Sequence, residues 1–417
     1  MPRHALSATA IPARIRNARM ATFAGFFVIG AMIYVWSTSV TAFRYQLGLV
    51  GGLGDLSFGL IASGIGVGTA AGALVIGRLI DKFGPKQVVG ASLVLYPLSI
   101  VPLSFVSDTS FALSFGIVLG LLRGASDTAL NAHGVQVERF YGRPIMAAFH
   151  AFYPLGGFMF GLIGSHFAYV YTDSVLVPFL SCSAVLLVVA LVSRCFMLDR
   201  QDLPLRQAGF VADAAPIKAR DMRVVMLMIG FGLLLLGSMV GESTVADWGQ
   251  EYLRRELLIE PGTAGLAIST FTGMQFVGRL VGDRVAERFG SVRMVVGSGL
   301  CSIAGLLFVL LGGSALRAML GFGLFGLGVS CIAPLMLSSA GRRDLANVGR
   351  NLGIVNGVGY SGMLFAPAVL SLVVNAFGIG ALLYFPLALT GLLVLLAPWI
   401  MREECEHRLA PVAPIHS

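Results

Sequence analysis

The sequence predicts an all-α integral membrane protein, with twelve transmembrane helices in two pseudo-symmetric six-helix halves and both termini in the cytoplasm. Three observations carry this expectation. First, 56% of the 417 residues are apolar and only 12% are charged, against about 25% charge in an ordinary soluble domain. A charge in hydrocarbon costs several kcal/mol, so the shortage suits a lipid-facing surface. Second, long apolar runs recur from end to end, each near the ~20 residues that cross a bilayer core. Third, one charged loop occurs twice. Gly77-Arg78-Leu79-Ile80-Asp81-Lys82-Phe83-Gly84 is matched by Asp283-Arg284-Val285-Ala286-Glu287-Arg288-Phe289-Gly290, about half a chain later.

The spans follow in order. Residues 1–20 form a basic cytoplasmic tail with Arg3, Arg14, Arg16 and Arg19. The apolar run behind them is too long for a cleaved signal, so it is read as a retained first helix. The N-terminal half, 21–197, holds spans at 21–43, 56–79, 88–106, 110–136, 145–170 and 174–197. Residues 198–222 are the least apolar stretch in mid-chain and read as a cytoplasmic linker. The C-terminal half, 223–401, holds 223–248, 261–285, 293–313, 315–340, 350–376 and 379–401, followed by a cytoplasmic tail at 402–417.

Loop charge sets the orientation. On this count Arg44, Arg254, Arg255 and Arg317 lie outside and Arg123 lies within a span, with every other Lys and Arg on the cytoplasmic side. That asymmetry is the positive-inside pattern. It also accounts for the net charge of +8 without a nucleic-acid partner, because no separate basic domain exists. Five Cys without a C-x-x-C pair read as small apolar residues, not as a disulfide or metal framework. Gly64, Gly68 and Gly72, and likewise Gly157, Gly161 and Gly164, form small-residue faces expected to permit sliding between helices.

The first loop resembles the signature G-x-x-x-D-[RK]-x-G-x-[RK] of the major facilitator superfamily, through Gly77, Asp81, Lys82, Gly84 and Lys86. Helix count, linker and repeat extend the resemblance along nearly the whole chain. The segments from Asp127 through Glu138-Arg139 and Gly142-Arg143-Pro144 to His150, and Glu242 with Asp247-Trp248, are similar to an uncharacterised bacterial branch. The resemblance implies a monomer in which two halves rock about a central site lined by helices 1, 4, 7 and 10. It also implies a cytoplasmic gate at Gly77, Asp81, Lys82, Gly84, Lys86, Glu138, Arg139, Arg143, Glu287, Arg288 and Gly290. Asp81 would accept from a basic partner, Arg139 or Arg143, or from a helix N-terminus. Anchoring the loop at the membrane surface is the plainer role for the basic members. The second copy lacks the first Gly and replaces Asp by Glu, so the N-terminal copy is expected to be the stronger latch.

Ionisable residues inside spans are expensive and therefore point to a site. Arg123, Asp127 and Asn131 recur four apart on the fourth span, which places them on one helix face. Either Arg123 and Asp127 neutralise each other along the helix, or the stripe lines a cavity and meets substrate or a proton. Glu242 is placed near the outer end of the seventh span. Asp247-Trp248 just beyond it reads as an interfacial pair with an aromatic-belt anchor. His150 falls on Asn356 in the repeat, each followed a turn later by Tyr153 or Tyr360, which suits a site on the pseudo-two-fold axis. Tyr34, Trp36 and Ser37 on the first span and Gln275 on the eighth complete the candidate pocket.

The expected function is a secondary active transporter that moves a small polar or ionisable solute, coupled to protons through Asp127, Glu242 or His150. Lipid flipping or multidrug export on the same fold is the alternative. An enzyme is not expected, because no H-E-x-x-H, G-x-S-x-G elbow or extramembrane catalytic domain is present. The expected partners are a small-molecule substrate, H+ and the lipid bilayer of a bacterial plasma membrane, with no nucleic acid, cofactor or metal.

Overall fold

The computed structural model describes residues 11–141, 145–199, 222–343 and 348–401. The N-terminal half runs α1 (Ala13–Ser37), α2 (Val40–Gln46), α3 (Gly51–Phe83), α4 (Pro85–Ser99), α5 (Thr109–Tyr141), α6 (Met146–Val170) and α7 (Leu176–Phe196). The C-terminal half runs α8 (Met222–Ser243), α9 (Gly249–Arg255), α10 (Pro261–Phe289), α11 (Ser291–Leu310), α12 (Ala315–Val329), α13 (Ile332–Arg343), α14 (Val348–Phe377) and α15 (Tyr384–Ile400). Paired with their extensions (α1 with α2, α8 with α9, α12 with α13), these make the twelve crossings. The first begins at Ala13 rather than 21. The seventh continues through a π-helical turn, Thr244–Trp248, to Arg255 rather than stopping at 248.

Packing repeats between the halves. In the first, α3 lies on α5 and α1 on α6; in the second, α10 lies on α12 and α8 on α14. The halves meet through α6 on α10 and α3 on α14. Ten helical stretches are apolar enough to cross a bilayer by composition. The cross-half pair α6 and α10 is outside that set, because polar residues such as His150, His166, Gln275 and Arg279 lower its mean hydropathy.

The two repeated loops have a common backbone cause. Gly84 has φ 88° and Gly290 φ 85°. Each caps the helix before it, donating its N–H to Ile80 and Ala286 respectively, and the next helix starts at once. Only Gly adopts that conformation without strain.

The glycine faces differ from expectation. A Cβ at Gly68 or Gly72 would overlap the Ile117 or Leu121 carbonyl, and one at Gly120 or Gly124 would overlap those of Ile65 and Thr69. The α3 stripe therefore locks α3 to α5 inside one half, and does not form a sliding surface. Gly157, Gly161 and Gly164 do sit between elements, facing Tyr34 and Thr272, Ser269, and Thr38.

Breaks in membrane helices need their freed backbone groups satisfied. The break between α1 and α2 at Thr38–Ser39 is served from the opposite half. Gln250 donates from Nε2 to the Thr38 carbonyl (2.6 Å) and accepts at Oε1 from the Thr41 N–H (3.0 Å). Gln46 serves the outer loops of its own half in the same way, donating to Ser104 and Val106 carbonyls and accepting from the Val175 N–H.

Candidate functional site

At bilayer depth, polar side chains from both halves converge. Helix α5 supplies Arg123, Asp127 and Asn131; α6 supplies His150 and Tyr153; α4 supplies Tyr96; α1 supplies Tyr34 and Trp36. The C-terminal half adds Glu242 from α8, Asp247 from the π turn, Gln275 and Arg279 from α10, and Tyr360 from α14. Most are half-buried, while Tyr34, Trp36, Tyr96 and Gln275 are buried. Asn131 donates from Nδ2 to the Asp127 carbonyl (2.9 Å). Its Oδ1, 2.8 Å from His150 Nε2, is therefore the acceptor, which assigns the histidine proton to Nε2. Arg279 donates to the His150 backbone carbonyl at 3.0 Å and lies 5.9 Å from the Tyr153 ring centroid.

Three carboxylates share the field of two guanidinium groups. Glu242 faces Arg279 first, then Gln275 and Arg123. Asp247 accepts from Ser243 Oγ at 2.9 Å and faces Arg123 and the Trp36 indole. Among the described residues, Arg123 is the cation that bears on Asp127. No ion pair at direct-contact distance joins these groups among the described residues. The intrahelical Arg123–Asp127 bridge is thus not closed. The Gln275 amide lies beside Glu242 and the Trp36 indole N–H beside Asp247.

Several positions depart from expectation. Glu242 lies at the end of α8 but in the middle of the seventh crossing, because that crossing continues to Arg255. Trp248 is not a belt anchor. It is fully buried, packs edge-on against Phe58 of the other half at 5.2 Å, and has Arg44 over its ring. At the repeat-related places, His150 bonds Asn131, and Asn356 Oδ1 has no partner among the described residues. Arg279 and Tyr96 are site residues that the sequence reading did not name. Arg279 was grouped with the cytoplasmic charges, whereas α10 runs on to Phe289 and keeps it within the bundle. Its position four residues after Gln275 was the available signal.

The outer end is sealed by charge. Asp55 on α3, 2% exposed, pairs with Arg44 of its own half and takes a two-pronged bond from Arg255 of the other half (2.6 and 3.2 Å). Glu251 on α9, also buried, accepts from Thr41 Oγ1 (2.8 Å), faces Arg44 Nε at 3.4 Å, and binds Arg254, which reaches Tyr45 of the other half.

At the cytoplasmic end, Glu138 accepts from the Ile145 and Met146 N–H groups (2.6 and 2.8 Å), so it anchors the start of α6. Lys86 pairs with Asp199 at 3.9 Å. Lys82 lies over Phe83 and, at the repeat position, Arg288 lies over Phe289, while Glu287 is exposed. Gly77 and Asp81 fall in the last turns of α3, with their side chains outside what is described; Arg143 lies outside the described residues. His133, not singled out in the sequence, ties three elements of the half. Its Nδ1 meets Thr22 (3.0 Å) and its Nε2 accepts from the Leu198 N–H (2.9 Å), which is a neutral tautomer. Arg14 reinforces the junction by donating to the Phe196 and Met197 carbonyls.

Two six-helix halves, a cross-half charge seal at one end and a polar cluster at bilayer depth define a membrane transporter. The chain belongs to the Major Facilitator Superfamily, whose sequence profile matches residues 21–248 and 227–413. It is similar to an uncharacterized MFS-type transporter of Yersinia pestis, 27% identical over 89% of this chain and 94% of that one. An uncharacterized transporter of Sinorhizobium fredii is 26% identical over 90% and 96%. Its fold is similar to the xylose transporter XylE from E. coli in a partially occluded inward-open conformation, with TM-score 0.69 and 14% identity over 93% of this chain and 98% of that one. It is a multi-pass bacterial membrane protein.

Proposed function

We propose that the protein is a secondary active transporter for a small polar or ionisable solute, working by alternating access with proton coupling. The observation that carries this reading is the central cluster, where groups from both halves face one another with their charges unclosed beneath a sealed outer end. A solute entering from the cytoplasmic side would complete those interactions and draw the halves together, since a ligand shifts a two-state equilibrium only by its differential contacts. Asp127 and Glu242 are the coupling carboxylates, and His150 links the fourth and fifth crossings to them. The inner gate is the Asp81 loop with Arg139 or Arg143, and its N-terminal copy is the stronger latch.

The test is pH-driven flux in proteoliposomes loaded with solutes first selected by thermal-shift screening, where a bound ligand stabilises the folded protein by mass action. Asp127→Asn and Glu242→Gln are each expected to abolish the pH-driven component. Full pH-driven flux in the double variant would overturn the coupling assignment.

A further inference from the structure

The outer seal is short of acceptors. Its two carboxylates serve three guanidinium groups. Asp55 Oδ1 accepts from Arg44 Nη2 and Arg255 Nη1, and Oδ2 accepts from Arg255 Nη2. Glu251 Oε1 accepts from Thr41 Oγ1 and Arg254 Nε, while Oε2 accepts from Arg254 Nη2 and faces Arg44 Nε. Arg44 is the member that shares both carboxylates, and its side chain is 5% exposed. Its Nη1 has no partner among the described residues. Neither has the indole N–H of Trp248, whose ring is fully buried.

These two donors are neighbours. The Arg44 guanidinium carbon lies 5.6 Å from the Trp248 ring centroid and 5.1 Å from that of Phe58, and the two rings pack edge to face. Arg44 and Phe58 belong to the N-terminal half and Trp248 to the C-terminal half. A buried donor without an acceptor is costly, and a charged one most of all. A water molecule would accept from both, but it brings two donors of its own. Around it, three of the four carboxylate oxygens already face two donors each. A monovalent anion only accepts, and it also offsets the surplus guanidinium charge. Arg254 can leave its share of that charge to water, whereas Arg44 is buried away from it.

We propose that a small monovalent anion, a halide of chloride size, binds between Arg44 Nη1 and Trp248 Nε1 and completes the outer seal. Its ligands come from opposite halves, so the anion binds the outward-closed state and leaves as the halves part. Occupancy shifts the equilibrium toward closure by that difference in affinity. The anion is a clamp and not a cargo. The inference concerns the seal alone, and holds whichever solute and coupling the central cluster uses.

The test is a chloride titration of the purified full chain at constant ionic strength, with gluconate as the replacing anion. Chloride and bromide are expected to raise the melting temperature saturably, because a ligand of the folded state stabilises it by mass action. Sulfate, a larger dianion, should not. Trp248→Phe keeps a ring against Phe58 and removes the N–H, and should weaken the apparent chloride affinity about tenfold. Trp399→Phe, at the opposite end of the molecule, should leave that affinity unchanged. A second readout needs no change at the site: Ser37→Cys should react with an impermeant maleimide added outside more slowly in chloride than in gluconate. Equal stability in chloride and gluconate would mean that the two donors are simply hydrated, and would overturn the proposal. So would a chloride effect left intact by Trp248→Phe, or maleimide reaction indifferent to chloride. Uptake of labelled chloride into proteoliposomes would make the anion a cargo and overturn the clamp. None of these outcomes bears on solute flux, which tests the transporter reading separately.

Discussion

The outer seal and the central cluster are built from the same residue types and treat them oppositely. At the outer end, Asp55 and Glu251 are met by Arg44, Arg254 and Arg255, each within contact distance and most of them buried. In the centre, among the described residues, Asp127, Glu242 and Asp247 outnumber Arg123 and Arg279, and no pair comes within contact distance. The excess at the outer end is a cation, and Arg254, its most exposed member, leaves that charge to water. The excess in the centre is an anion. At the outer end the paired charges tie the two halves together.

The largest effect expected from this contrast is at Asp55. Replacing it by Asn leaves Arg44 and Arg255 facing a neutral group in a buried place, and breaking such a pair costs about 3–5 kcal/mol. The outward-closed state should lose occupancy, read as faster reaction of a cysteine installed at Ser37 with an impermeant maleimide added outside. Unchanged reactivity would remove the seal from the mechanism. Gln250→Leu comes next. It strands the Thr38 carbonyl and the Thr41 amide, at about 1–3 kcal/mol for each unsatisfied group, and should lower the melting temperature as well as loosen the same closure.

Asp127→Asn sharpens the comparison from the other side. Removing an uncompensated carboxylate should leave thermal stability unchanged or raise it, while pH-driven flux disappears. A loss of stability like that of Asp55→Asn would mean that Asp127 is structurally paired after all. The smallest effect is expected for Trp36→Phe. The ring still packs against Phe43, Phe58 and Phe179, so the melting temperature should shift by less than about 1 kcal/mol equivalent. What is lost is the indole N–H facing Asp247, to be read in solute affinity.

The crossings were legible because bilayer thickness imposes a length and a polarity that single residues cannot hide. The repeat was legible because Gly84 and Gly290 hold a backbone conformation that other residues resist. On α5, a four-residue spacing was enough to place Arg123, Asp127 and Asn131 together. The seal was not legible: Arg44, Arg254 and Arg255 were placed outside, but their partners lie on other helices, with Asp55 and Arg255 separated by 200 residues. Arg279 was missed for a related reason. Its helix ends in the basic loop, so its charge looked like part of the cytoplasmic count. Trp248 was read from the apparent end of a crossing that in fact continues through a π turn.

Gln250 carries a consequence for how the outer face opens. Its amide stands in for the missing helical partners of Thr38 and Thr41 on the opposite half, so the halves cannot part there as dry bodies. As they separate, two backbone groups must be rehydrated at once. Opening is then a wetting event, in which water reaches the kink of the first crossing before the helices clear one another. Osmotic stress that withholds water should slow that step more than it slows closure.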